Sequence, residues 1–309
     1  MVEARRGPWV DIFLTATQLE TFWREEKDSC RRRWWFKYVR RLPTVQRSGG
    51  AFGDVLHAVL ERYLNADHRG VDPKTGFAVD LYPKGWDTPV DRYSGQFGAL
   101  LSPVEANLIR SLISEALDRG LLYRPPNRMV EVHFEHALTL PSGRSALLRG
   151  DIDMIVPPDL VWDHKSHKSM KYARSKPKMK TSPQMLSYAL ALYRGQEAAG
   201  VKLDGVHLKH LVFAKEEGRV RETPGYATAE EILAFESKLK ERADEMLDLK
   251  AEKTTDEVWP YVPGPEPKSR ACLAYGGCPF AGICSGDGWG ETAAEYRARF
   301  VKENPSSAP

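Results

Sequence analysis

Long apolar runs are missing from this chain: nowhere do 18 uninterrupted apolar residues occur, and the amino-terminal MVEARRGPWVDIF carries no hydrophobic stretch. The expectation is a cytoplasmic protein that does not enter a membrane. A dominant charge is lacking too. With 45 Lys and Arg against 42 Asp and Glu, the formal net charge is only +3, so bulk electrostatics neither argues for nor excludes nucleic acid. There is no internal repeat and no GxxxxGK[ST] phosphate loop, so no helicase motor is encoded here. Cysteine is scarce at four residues, which in a cytosolic setting points away from a disulfide framework.

What is present suffices for a sizeable core. The 309 residues are 42% hydrophobic and 28% charged, ordinary values for one large globular domain with appendages. The most informative stretch is GDIDMIVPPDLVWDHK, Gly150 to Lys165. Two strands joined by a Pro-Pro-Asp turn would bring Asp153, Asp163 and Lys165 to one sheet edge. Asp163 and Lys165 are two apart and share a strand face, whereas His164 points away. Two carboxylates can hold a hard cation such as Mg2+ or Mn2+, which polarises a phosphate and acidifies water, and a lysine can stabilise the developing charge.

Directly after this site come Lys165, Lys168, Lys171, Arg174, Lys176, Lys178 and Lys180 with no acidic residue among them. The stretch is polar and broken by Pro177, so it reads as a loop that grips DNA phosphates, with Tyr172 available for base stacking. Upstream, GDVLHAVLERYL forms an amphipathic helix that places His57 and Glu61 one turn apart. Downstream, Gln184 and Tyr188 share a helix face.

The cysteines make a separate pattern. Cys272, Cys278 and Cys284 are clustered with gaps of five residues, and Cys30 is remote. Metal ligation is the better reading of such a group, and with Cys30 the set has the four thiolates of a 4Fe-4S cluster. Zn2+ is the less favoured occupant, because zinc sites usually pair cysteines two to four residues apart. Ligation would close a loop of about 240 residues around the remaining chain.

In order along the chain, the early segment from Thr15 to Pro43 with its cysteine and Arg/aromatic helix, FGDVLHAVLE, GDID, DHK, QMLSY and CLAYGGCPFAGIC resemble the motifs of the PD-(D/E)XK nuclease superfamily. The resemblance is to its RecB-like exonuclease branch with a four-cysteine iron-sulfur cluster, similar to the AddB nuclease domain and to CRISPR-associated adaptation exonucleases. It implies that His57, Asp153 (rather than Asp151) and Asp163 are metal ligands, that Lys165, Gln184 and Tyr188 complete the catalytic set, and that Cys30, Cys272, Cys278 and Cys284 hold the cluster. The first cysteine gap is longer than the family habit. It further implies a metal-dependent deoxyribonuclease acting on DNA ends, single-stranded or free, with a helicase or recombination protein as the partner class. The alternatives are a structure-specific endonuclease and a non-catalytic DNA-end-binding subunit.

Periodicity gives the architecture expected here. Helices are predicted over Thr17–Glu26, Arg31–Val39, Gly50–Asn65, Pro103–Arg119, Pro183–Ala199 and Ala229–Leu249, and strands over Val130–Leu140, Ala146–Val156, Leu160–His164 and Val206–Ala214 with a return strand. The fold class is α/β, a restriction-endonuclease-like core with a mixed central sheet flanked by helices, plus a C-terminal cysteine segment packed on the N-terminal helices. The expected divisions are an N-terminal helical segment, 1–48; a nuclease core, 49–250, with an insertion near 70–102; a C-terminal cluster segment, 251–303; and a disordered tail, 304–309.

Overall fold

A six-stranded mixed sheet organises the chain. The computed structural model describes residues 10–23, 30–44, 48–65, 69–71, 78–80, 101–251, 278–281, 283–284 and 293–303. In chain order these form β1 (Ile12–Leu14), α1 (Ala16–Phe22), α2 (Arg31–Trp34), which continues as a π-helical turn over Trp35–Val39, and α3 (Ser48–Asn65). A small hairpin, β2 (Arg69–Val71) and β3 (Ala78–Asp80), stands outside the main sheet. Then follow α4 (Pro103–Asp118), β4 (Met129–Thr139), β5 (Ser145–Val156), β6 (Leu160–His167), a 3-10 turn at Met170–Tyr172, α5 (Lys176–Met179), α6 (Pro183–Ala198), β7 (Gly205–Ala214), β8 (Arg219–Thr228), α7 (Ala229–Ala251) and α8 (Ala293–Glu303).

The sheet order is β1-β5-β6-β7-β8, with β4 also paired to β5. Strands β4, β5 and β6 run as consecutive antiparallel hairpins. β6 and β7 are parallel, which requires a crossover, and the segment carrying α6 supplies it. Helix α6 starts where Ser182 caps the Met185 N–H and Pro183 occupies the first turn, a residue pair suited to that position. α4 is opened by a reciprocal Ser102–Glu105 capping box.

Two apolar clusters cover the sheet. One joins α1, α2, α6 and α7 through residues such as Phe22, Trp34, Leu148, Leu190 and Leu239; the other joins α3 and α4 through Phe52, Leu56, Leu60, Ile109, Leu112 and Trp162. Full burial of a Leu, Ile or Phe stabilises by roughly 1.5–3 kcal/mol, so each cluster pins its helices firmly to its sheet face. The C-terminal segment packs on the N-terminal helices: Phe280 lies 5.4 Å from the Phe36 ring, and the Tyr296 hydroxyl donates to the Pro43 carbonyl at 3.0 Å.

The predicted architecture holds, with local differences. β1 pairs with Ala146–Leu148 of β5, but three residues are too short for a periodic signal. β6 continues to His167 because parallel pairing with β7 persists to Ala214, where polarity had suggested an end. The basic stretch holds a 3-10 turn and the short helix α5, anchored by buried Met179. Within the expected insertion, β2 and β3 are seen, while most of 70–102 and all of 304–309 lie outside the described residues.

Candidate active site

Strand β6 divides the site between two sheet faces. Its alternation sends Asp163 and Lys165 toward α6 and sends Trp162 and His164 toward α3, as the strand period requires. On the α6 face, the Asp163 carboxylate is fully buried. Its Oδ1 accepts from the Lys165 Nζ at 2.9 Å and from the Gln184 Nε2 at 3.1 Å. Gln184 also donates to the Tyr188 hydroxyl at 3.0 Å, so the expected Gln-x-x-x-Tyr pair does meet Asp163 and Lys165. Burial alone would raise Asp163, but the adjacent Lys165 cation holds it below its ordinary value. Burial likewise opposes a charged Lys165, yet Asp163 and Asp153 keep its pKa raised. Lys165 is therefore a cation at neutral pH. Burial pushes the Tyr188 hydroxyl up, so it stays neutral and accepts from Gln184 as an uncharged phenol.

On the α3 face, Asp153 Oδ2 accepts the His164 backbone N–H at 2.6 Å and lies 3.3 Å from the His164 ring Nδ1. Its Oδ1 is 3.5 Å from the His57 Nδ1. Burial disfavours the charged form, but these histidine contacts hold Asp153 well below the usual carboxylate range. His57 is raised in turn: burial opposes it, and the Asp153 carboxylate overcomes burial. Helix α3 reaches this close because Gly53 faces β6; a Cβ there would stand 3.1 Å from the Ser166 Oγ.

Glu131 completes this half of the site. Ligand atoms of His57, Glu131 and Asp153 all lie within 4.8 Å of one another, an acidic oxygen and nitrogen set suited to Mn2+ as well as Mg2+. Glu131 has φ 48°, an uncommon conformation for a non-glycine residue. Burial and then the charges of Asp153 and Glu61 push its pKa up to about 7. Crowding of acidic groups of this kind is what a bound cation relieves. Sequence reasoning passed over Glu131 and the holding role of His164. The feature that brings Glu131 in is the hairpin register, which pairs Val132 with Ile152 and Val130 with Met154 and leaves Glu131 and Asp153 between those pairs, their ligand atoms within 4.8 Å. Asp163, by contrast, is directed into its contacts with Lys165 and Gln184 and is not one of the three converging groups.

The basic stretch is partly spent on the protein itself. Lys168 pairs with Glu216 at 3.3 Å, Lys180 with Glu231 at 2.9 Å, and Arg174 with Glu20 of α1. Lys171 lies over the exposed Tyr172 ring, 5.0 Å from its centroid, and Lys176 and Lys178 are exposed. Three members of the set thus order the segment, and the Lys171–Tyr172 pair, Lys176 and Lys178 face outward.

Of the cysteines, Cys30 caps α2, its Sγ accepting the Arg33 N–H at 3.5 Å, and Arg32 donates to the Cys284 Sγ at 3.6 Å. Burial raises the Cys30 thiol, and charge on Cys284 and Cys278 pushes it the same way. Cys30, Cys278 and Cys284 are thiols without disulfides, and they do not converge within 4.8 Å as the His57 set does. Cys272 lies outside the described residues.

A family model for the PD-(D/E)XK nuclease superfamily matches residues 14–285, and the chain belongs to that superfamily. Among solved structures, a protein of Eubacterium rectale provisionally described as an exonuclease aligns over 78% of this chain and 84% of its own at 10% identity, with a TM-score of 0.50. That likeness supports the fold. The protein SSO0001 aligns over 66% of this chain and 88% of its own at 15% identity and a TM-score of 0.28, too loose to carry an argument. No curated protein matches. Among the described residues, no helix is long and apolar enough to cross a membrane.

Proposed function

We propose that this protein is a metal-dependent DNA nuclease, an exonuclease working on DNA ends in recombination, repair or the processing of phage or CRISPR-related DNA in the cytoplasm. The observation that carries the reading is the convergence of His57, Glu131 and Asp153 beside an Asp163–Lys165–Gln184 network in a PD-(D/E)XK chain. The donor set fits Mg2+ or Mn2+: His57, Glu131 and Asp153 hold the ion, with Asp163 as the further carboxylate. When bound, such an ion polarises the scissile phosphate and makes water acidic enough to attack.

The chain's own residues do the rest. Lys165, cationic and fixed by Asp163, stabilises negative charge that develops on the phosphate. Gln184 holds the Asp163 carboxylate, and Tyr188 holds Gln184. The outward Lys171, Tyr172, Lys176 and Lys178 take up backbone phosphates and stack on a base. The divisions proposed are an N-terminal helical segment, 1–48, a nuclease core, 49–250, and a C-terminal cluster segment, 251–303.

An iron-sulfur cluster on Cys30, Cys272, Cys278 and Cys284 belongs to the same proposal. It is supported by the influence of Cys284 and Cys278 on the Cys30 thiol and by the packing of Phe280 and Tyr296 on the N-terminal segment. Bound, the cluster would supply a closure between the two ends of the chain.

The test is cleavage of end-labelled linear and closed circular DNA, single- and double-stranded, with Mg2+ or Mn2+. Metal-dependent loss of linear DNA with intact circles is expected. Nicked circles would replace the exonuclease by an endonuclease, and no metal-dependent product from folded protein would favour the DNA-end-binding subunit.

A further inference from the structure

Asp153 is backed by a buried histidine, His164, and a second buried histidine stands behind Asp163. His210 lies on β7 in direct register with Asp163 across the parallel pairing of β6 and β7. It is 1% exposed, and Asp163 is fully buried. Its Nε2 lies 2.9 Å from the Asp163 Oδ2, the carboxylate oxygen not engaged by Lys165 or Gln184. Among the described residues, neither His210 ring nitrogen nor that Oδ2 has an aligned hydrogen-bond partner, and the two groups lie within reach of each other. The neighbouring positions on these two strands, Val161 and Val212, are buried aliphatics, and an apolar side chain at 210 would not leave a buried polar ring unsatisfied.

We infer that His210 is a positioning residue for Asp163: its imidazole faces Oδ2 and fixes the rotation of the carboxylate, so that Oδ1 stays on Lys165 while the group is turned for the divalent ion. The inference rests on the metal-nuclease reading of the same site. Partners of this kind behind a ligand orient it and tune its affinity, and their loss typically costs ~10–100-fold in metal affinity or activity.

The experiment measures Mn2+ binding by isothermal titration calorimetry in wild type, His210→Leu and His210→Gln, with kcat and KM on linear DNA. His210→Leu is expected to weaken Mn2+ binding ~10–100-fold and to lower kcat with little change in KM for DNA; His210→Gln, which keeps a donor, restores most of both. Wild-type affinity in folded His210→Leu overturns the inference while leaving the nuclease reading intact. A wild-type protein that binds no Mn2+ overturns both. Should the leucine variant not fold, 15N-histidine NMR of wild type decides: titration with Mg2+ moves the His210 ring resonance, assigned by its loss in His210→Gln, and a stationary resonance overturns the inference.

Discussion

The two halves of the site flank strand β6, one against α6 and the other shared by α3, β4 and β5, and they differ in how their charge is balanced. On the α6 face, Asp163 is neutralised internally by Lys165, steadied by Gln184 and closed off from solvent. On the α3 face, Asp153 and Glu131 crowd together, offset by His57 and His164 and, from across β6, by Lys165. The first half is preorganised: its charges are already paired before substrate arrives, and Lys165 is kept cationic by its neighbours. The second is poised for a cation, and the raised Glu131 marks the cost of holding two carboxylates together. The paired network and the crowded carboxylates thus lie on either side of β6, whose Asp163 and His164 face one each.

The largest effect expected is on the α6 half. Asp163→Ala and Lys165→Ala should lower cleavage by a factor on the order of 10³ or more while DNA affinity changes little in protein that still folds, at a lowered melting temperature because each leaves its buried partner unpaired; activity equal to wild type in either would end the catalytic assignment. On the α3 half, Glu131→Gln should weaken Mn2+ binding ~10–100-fold in calorimetry, with a smaller loss of kcat at saturating metal. An unchanged affinity would remove Glu131 from the ligand set and leave the two halves alike.

A packing test sharpens the comparison further. Gly53→Leu should push α3 off β6 at Ser166, cost about 1–3 kcal/mol of stability and carry His57 out of reach, so that Mn2+ binding weakens more than the melting shift alone explains. Gly53→Ala asks Ser166 to give only a few tenths of an ångström, and Ser166→Ala should recover its small deficit.

The smallest effect is a pH dependence. Glu131 has a folded pKa near 7 against an ordinary 4.5, so between those values the folded protein binds more protons than the unfolded one, and stability falls as pH rises through that window. Metal-free wild type should therefore lose melting temperature from about pH 5 to 7 relative to Glu131→Gln, and Mn2+ should flatten the difference. Parallel pH profiles for the two proteins would show that Glu131 titrates normally.

Much of this was legible in the residues. The Pro-Pro-Asp turn, the two-residue step from Asp163 to Lys165 and the helical step from Gln184 to Tyr188 each fix geometry locally, and the structure brings all four side chains into one network. His57 was legible as part of an amphipathic helix, but its approach to Asp153 depends on Gly53 meeting β6, a tertiary contact. Glu131, His164 and His210 were hidden for the same reason: each acts across a strand pairing, and register is set by turns and by burial of a whole face rather than by any local pattern. The run of seven basic residues was visible, whereas its division into internal ion pairs and outward groups depended on Glu20, Glu216 and Glu231, distant in sequence. The cysteine spacing suggested a ligand group, and its geometry depends on where the chain's two ends meet.

The measurement that bears most directly on the central claim is anomalous diffraction from crystals soaked in Mn2+. A peak is expected in contact with the His57 imidazole and the Glu131 and Asp153 carboxylates, on the α3 side of β6 and adjacent to Asp163. A fully soaked crystal with no peak at that position, or with manganese bound only elsewhere on the chain, would contradict it.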